Sequence, residues 1–193
     1  MTEVGLPKVR SVLESRAARE LAEHEKWAAV AMLLREGAAG PEVFFIRRAE
    51  HPRDPWSGHM AFPGGRQHAE DGSLLQTAIR ETQEEVGLDL SSEAHHIGQL
   101  DDLQAIARGK PQETVIRPFV FEVHQQSPIL ADEREVAEAL WTPLMPLYRG
   151  DADTTRPYQW HGTQIDFPAY DVDGRVVWGL TYQMLRSFFR ILG

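Results

Sequence analysis

Glu81, Glu84 and Glu85 fall in the stretch "IRETQEEVGL", beside Arg80. On an α-helix, residues three and four apart share a face, so the three carboxylates converge within one turn and Arg80 reaches Glu84. Like charges so close repel, and one arginine does not neutralise three. A hard divalent cation would, because magnesium or manganese prefers oxygen ligands and bridges carboxylates to phosphate oxygens. The turn "FPGG" stands just upstream. Gly64 and Gly65 let the backbone pass close to a ligand and leave a peptide carbonyl free, which makes Gly65 a candidate metal ligand and Gly64 a candidate substrate contact.

The elements that must position these groups are legible from periodicity. Leu75, Ile79, Thr82 and Val86 form one stripe of a helix, with Ser73 or Asp71 able to cap its start and Gly87 placed to end it. That stripe is expected to face a sheet and the carboxylates to face away. "KWAAVAMLL" and "PEVFFIRR" read as paired strands across the turn "REGAAG". Between them and the helix, "AEHPRDPWSGHMAFPGG" is a long Pro- and Gly-rich loop of the kind that carries function. Further strands are expected in "HHIGQLDDL", "TVIRPFVFEV", "WTPL" and "TQIDFPAYDVDGRVVWGL", the last with a hairpin turn at Asp173 and Gly174. Amphipathic helices are expected from about Pro7 to Glu25, as an arm, and from about Leu180 to Leu192. The pattern is one α+β domain spanning 1–193.

The 193 residues carry a formal charge of −9, so a broad nucleic-acid or anionic-membrane surface is excluded by repulsion. A small polyanion is still admissible if cations stand between it and the protein. There is no cysteine, hence no disulfide framework, thiolate zinc site or cysteine nucleophile. The N-terminus lacks a signal-peptide core, and the apolar run "WAAVAMLL" is far short of the ~20 residues a bilayer requires. A cytoplasmic protein with no membrane partner is expected.

From Gly65 to Leu88 the chain resembles the Nudix box: Arg80, Glu81, Glu84, Glu85, Gly87 and Leu88 match its Arg-Glu, Glu-Glu and Gly-aliphatic positions. Two positions differ. Asp71 lies one residue farther from Arg80 than the usual acid, and Thr82 replaces an aliphatic. The longer spacing with aspartate, together with "FFIRRAE", "GHMAFPGG", "DEREVAEALWTPL" and "VVWGLT", resembles the coenzyme A diphosphatase branch, although Trp56, Ser57, Gly58 and His59 stand where that branch usually has His, any residue, Gly and Gln.

The resemblance implies a Nudix-like α/β/α sandwich around a mixed sheet, with 65–88 as the box and 1–25 as a helical arm. It also implies a Mg2+- or Mn2+-dependent diphosphatase, and the branch resemblance implies coenzyme A or its derivatives as substrate, giving a nucleoside bisphosphate and a phosphopantetheine. ADP-ribose, nucleotide sugars or oxidised nucleoside triphosphates are the alternatives within the superfamily. A nucleotide-sensing domain without hydrolysis is the alternative outside catalysis. Implied metal ligands are Glu81, Glu84, Glu85 and Gly65. Glu81 is ligand or base, and Arg80 orients a glutamate. A base on a distant loop would be Glu113, Glu133 or Glu135, the acid-valine segment favouring Glu135. Homodimers are frequent in the superfamily.

Other residues are read from their chemistry. Arg47, Arg48 and Arg53 could clamp phosphates. Trp56 could stack on a ring of the substrate or plug the sheet edge. Trp141 and Trp178 read as core. His51, His59, His68, His95 and His96 show no metal-ligand spacing and read as loop or surface histidines.

Overall fold

The computed structural model describes residues 4–22, 24–52, 54, 56–107, 110–125, 127–160 and 163–193. In chain order the elements are α1 (Leu6–Glu14), β1 (Lys26–Gly37), β2 (Gly40–Arg48), β3 (Met60–Ala61), β4 (Gly64–Arg66), α2 (Leu74–Val86), α3 (Leu90–Glu93), β5 (Ala94–Gln99) and β6 (Leu103–Ala107). They continue with β7 (Lys110–Val123), β8 (Val136–Pro143), α4 (Leu144–Arg149), β9 (Asp153–Trp160), β10 (Thr163–Val172), β11 (Arg175–Val177) and α5 (Gly179–Leu192).

The central strands are apolar on both faces, and the period of two assigns each residue to one of two cores. Ala29, Ala31 and Leu33 of β1, Phe44 and Ile46 of β2, and Phe119 and Phe121 of β7 pack with Ala78 and Val86 of α2. The alternate residues Met32, Leu34, Val43, Phe45 and Val120 pack with Val9 and Leu13 of α1 and Leu185, Phe188 and Phe189 of α5. The result is the expected α/β/α sandwich around a mixed sheet.

Strand β1 organises the site. One edge runs parallel to β7, from Lys26 opposite Thr114 to Leu34 opposite Glu122. The other edge is divided between β2, which meets it antiparallel at Leu34–Val43, and β4, which meets it at Ala29–Gly65. The box loop is therefore stitched into the sheet. A second, three-stranded sheet, β11-β10-β9, follows β8 in the chain. Its Asp173–Gly174 turn has φ of 52° and 80°, the double positive φ of a tight hairpin.

One expected element is shorter than its pattern. The amphipathic spacing runs to Glu25, yet α1 stops at Glu14. The backbone N–H of Arg19 donates to Asp101 (2.8 Å) and that of Leu21 to Asp102 (2.8 Å), while Arg117 fixes Asp102 through two bonds of 2.8 Å. These fixed acceptors take the backbone donors that a longer helix would have used internally.

Candidate active site

Helix α2 begins where Ser73 accepts a hydrogen bond from the Gln76 N–H (3.2 Å) and ends at Gly87 in the left-handed region (φ 76°). Asp71 does not cap it. Its carboxylate instead takes two bonds from Arg80 (both 2.9 Å) and one from the Thr77 hydroxyl (2.9 Å). Arg80 also donates to Glu81 (2.9 Å), Glu84 (3.0 Å) and the Arg66 carbonyl (3.1 Å). The contact with Asp71 holds that carboxyl well below the usual range and raises the guanidinium further.

The carboxylates do not all face away from the sheet. Glu81 is 9% exposed and Glu85 only 2%, whereas the Glu84 side chain is 58% exposed. A position one turn from Ala78 on an amphipathic helix faces the same core. Burial pushes the Glu85 carboxyl up to about 8 even though Gly64 donates its backbone N–H to it (2.8 Å), with Arg48 favouring the charge and Glu81 and Glu135 opposing it. Burial raises Glu81 as well, against the pull of Arg80.

The two glycines act at different surfaces. A Cβ on Gly64, at φ 151°, would stand 2.3 Å from the Ala29 carbonyl oxygen, so this residue lets β4 lie against β1. A Cβ on Gly65 would stand 2.5 Å from the Glu81 carboxyl carbon, so this one leaves room for a carboxylate.

These groups open into a cavity of about 530 Å³. Gly64, Gly65, Glu81, Glu85, Glu135, Arg48 and Trp56 all line it. Glu135 arrives on the segment before β8, which is tied to the end of α2 by Leu130 N–H to Val86 O (3.0 Å) and Asp132 N–H to Glu85 O (2.9 Å). Of the other distant candidates, Glu113 pairs with Lys26 and Glu133 is exposed; neither is in the lining. Arg48 is anchored on Asp54 (2.7 and 2.9 Å). Arg47 points to the opposite face of β2, where Glu138 takes it at 3.2 Å and also binds Arg175, so it is absent from the lining. Glu84 is also outside the lining, and Arg53 lies outside the described residues.

Three lining residues were not singled out as site residues from sequence: Trp178, read as core, and His51 and His59, read as loop or surface histidines; the rings of His59 and Trp178 have centroids 5.0 Å apart. Their only signal was position, in the loop before the glycine turn and just ahead of the last helix. Trp141 does pack inward, on Phe44 and under Arg35.

Among the described residues, no three Asp, Glu, His or Cys side chains already stand close enough together to enclose a metal ion. The donor chemistry nonetheless suits a hard cation. Two buried carboxylates share one cavity, both resisting ionisation because burial opposes their charge, and a glycine keeps space open beside Glu81.

A family profile for the NUDIX domain matches residues 25–161. The chain belongs to the Nudix family. It is 40% identical over 116 residues to an uncharacterized protein of Schizosaccharomyces pombe, covering 59% of this chain and 35% of that one. The chain thus spans about a third of that relative's length. It is 31% identical over 150 residues to an uncharacterized Nudix hydrolase, NudL, of Yersinia pestis, covering 76% of this chain and 70% of that protein. Its fold is similar to that of a MutT/nudix family protein from Enterococcus faecalis, with a TM-score of 0.57 at 16% identity over 100% of this chain and 76% of that one. It is also similar to a C. elegans Ap4A hydrolase, with a TM-score of 0.51 at 20% identity over 64% of this chain and 84% of the other. Hydrolases of the Nudix family generally use divalent metal ions.

Proposed function

We propose that this Nudix hydrolase cleaves the diphosphate bond of coenzyme A or a derivative, with Mg2+ or Mn2+ held by Glu81, Glu85 and the Gly65 carbonyl. The observation that carries the site assignment is the pair of buried, cavity-lining carboxylates whose ionisation burial opposes. The coenzyme A reading rests on the sequence segments outside the box, from "FFIRRAE" to "VVWGLT".

The cation, when bound, neutralises phosphate oxygens and makes a bound water more acidic. Glu85 is held at its post by Gly64 and Glu81 by Arg80, so both are fixed before substrate arrives. Glu135 faces the same cavity from another element and is assigned as the base that takes the water proton. Arg48, held by Asp54 at the cavity wall, is assigned to the substrate phosphates. Glu84, outside the lining, is assigned a supporting role through Arg80.

The test is product analysis across coenzyme A, ADP-ribose, Ap4A, a nucleotide sugar and an oxidised nucleoside triphosphate, each with Mg2+ and Mn2+. Coenzyme A should show the highest kcat/KM and release a nucleoside bisphosphate and phosphopantetheine. Turnover of coenzyme A no faster than that of ADP-ribose removes the branch reading and leaves the hydrolase. No turnover of any member would favour a binding domain.

A further inference from the structure

The carboxylates account for one wall of the cavity. Another wall is built from aromatic rings and apolar side chains. Trp178, between β11 and α5, lines the cavity with His59, Met60, Leu180 and Met184. The indole is gripped from several sides. The Arg156 guanidinium of β9 lies 4.6 Å from its ring centroid, and the rings of Tyr158, Phe167 and His59 lie at 5.8, 6.0 and 5.0 Å. Arg156 Nε and Trp178 Nε1 are both buried without a hydrogen-bond partner among the described residues. A cation left so is held by the ring it covers.

The position of this cluster in the chain is informative. The family match ends at residue 161, yet Phe167 and Trp178 lie beyond it, on the second sheet and its exit. The wall is therefore shared: Trp178, Phe167, Leu180 and Met184 come from beyond the matched segment, and His59, Met60, Arg156 and Tyr158 from within it. Its chemistry is that of a platform for a flat ring: a rigid indole, apolar neighbours in Met60 and Met184, and a nearby positive charge that suits an anionic ligand. Arg156 is not itself in the lining; its charge bears on the cavity through the indole it covers.

We propose that Trp178 stacks on the nucleobase of the substrate, with Arg156 as the positioning residue that fixes the indole. The inference deepens the nucleotide reading given above and rests on it. It assigns the ring-recognition task to the residue before α5, backed by β9 and β10.

The test uses the full-length protein with labelled tryptophan indoles, and adenosine as a probe that carries the ring without phosphate or metal. Adenosine should shift the Trp178 indole resonance, and R156M should weaken that binding several-fold. W178A should weaken it about tenfold, raise KM for a nucleotide diphosphate by a similar factor with kcat retained, and leave hydrolysis of a dialkyl diphosphate unchanged; W178F should restore most of the affinity. An unshifted Trp178 resonance in the parent protein overturns the proposal, even if W178A does not fold. Equal loss on the nucleotide and dialkyl substrates overturns it too. Coenzyme A turnover without adenosine contact at Trp178 removes this platform alone. Adenosine binding there without coenzyme A turnover removes the substrate reading alone.

Discussion

The Arg80 guanidinium is pinned to the Asp71 carboxylate by two hydrogen bonds of 2.9 Å, and this leaves its other N–H groups aimed at Glu81, Glu84 and the Arg66 carbonyl. Asp71 thereby sets the place of Glu81 without entering the cavity lining itself. In D71N the geometry is loosened and one charge removed. The expected result is a loss of about 1–3 kcal/mol of stability and a ten- to hundred-fold drop, roughly, in metal affinity or kcat. Thermal unfolding and metal titration calorimetry on the same preparation would check both. A D71N protein with parental metal affinity would separate Arg80 from the site.

The adjacent glycines should fail in different ways. In G64A the added methyl meets the Ala29 carbonyl oxygen at a positive φ, and backbone cannot step aside, so folding stability should fall by about 2 kcal/mol or more. In G65A the methyl meets the Glu81 carboxylate, a side chain that can swing away. Activity should then fall by at least about tenfold, with a much smaller change in Tm than G64A shows. Matching stability losses in the two variants would contradict this division.

The proposed metal site should respond to pH through Glu85. Its carboxyl is pushed up to about 8 in the folded chain, from an ordinary value of 4.5, so the folded state holds a proton that the unfolded state has released between those values. Stability of the metal-free protein should therefore decrease as pH rises from about 4.5 to 8, and level off above. Divalent cation should bind more tightly as pH rises through the same window, because the ligand must lose its proton. Denaturant titrations across pH, with and without Mg2+, measure the effect. E85Q should flatten the metal-free slope and abolish the metal-dependent gain; a slope unchanged in E85Q would place the proton elsewhere.

Much of the scaffold is visible in the sequence because local rules and the fold agree. Apolar runs gave β1 and β2, the Ser73 and Gly87 caps bounded α2, and Asp173–Gly174 marked its hairpin. What escaped depended on contacts between distant residues. Periodicity carried α1 past Glu14 because nothing local announces that Asp101 and Asp102 will capture Arg19 and Leu21. A glutamate reads as solvent-facing, so the burial of Glu81 and Glu85 was legible only as crowding, and their chemistry only through the box. Arg47 and Arg48 look alike in sequence, and the alternation of β2 sends them to opposite faces. Trp178 became a cavity residue only when α5 folded back over Met60, as the Thr181 hydroxyl does in donating to the Met60 carbonyl (3.0 Å).

The parallel pairing of β1 with β7 also dictates an order of events in time. Leu34 finds Val43 across a short turn, and Ala28 finds Arg66 across much less chain than separates Lys26 from Thr114, so the glycine turn can join the sheet before β7 does. Lys26 must wait for Thr114, and with β7 come Thr114 and Ile116, which close the cavity floor. Contacts between distant segments form slowly because their loops are expensive to close. In a pulse-labelled hydrogen-exchange experiment on refolding, amides of the β1–β2 pair should gain protection before those of the β1–β7 pair. The strand that carries the glycine turn would then be in place before there is a pocket for it to line.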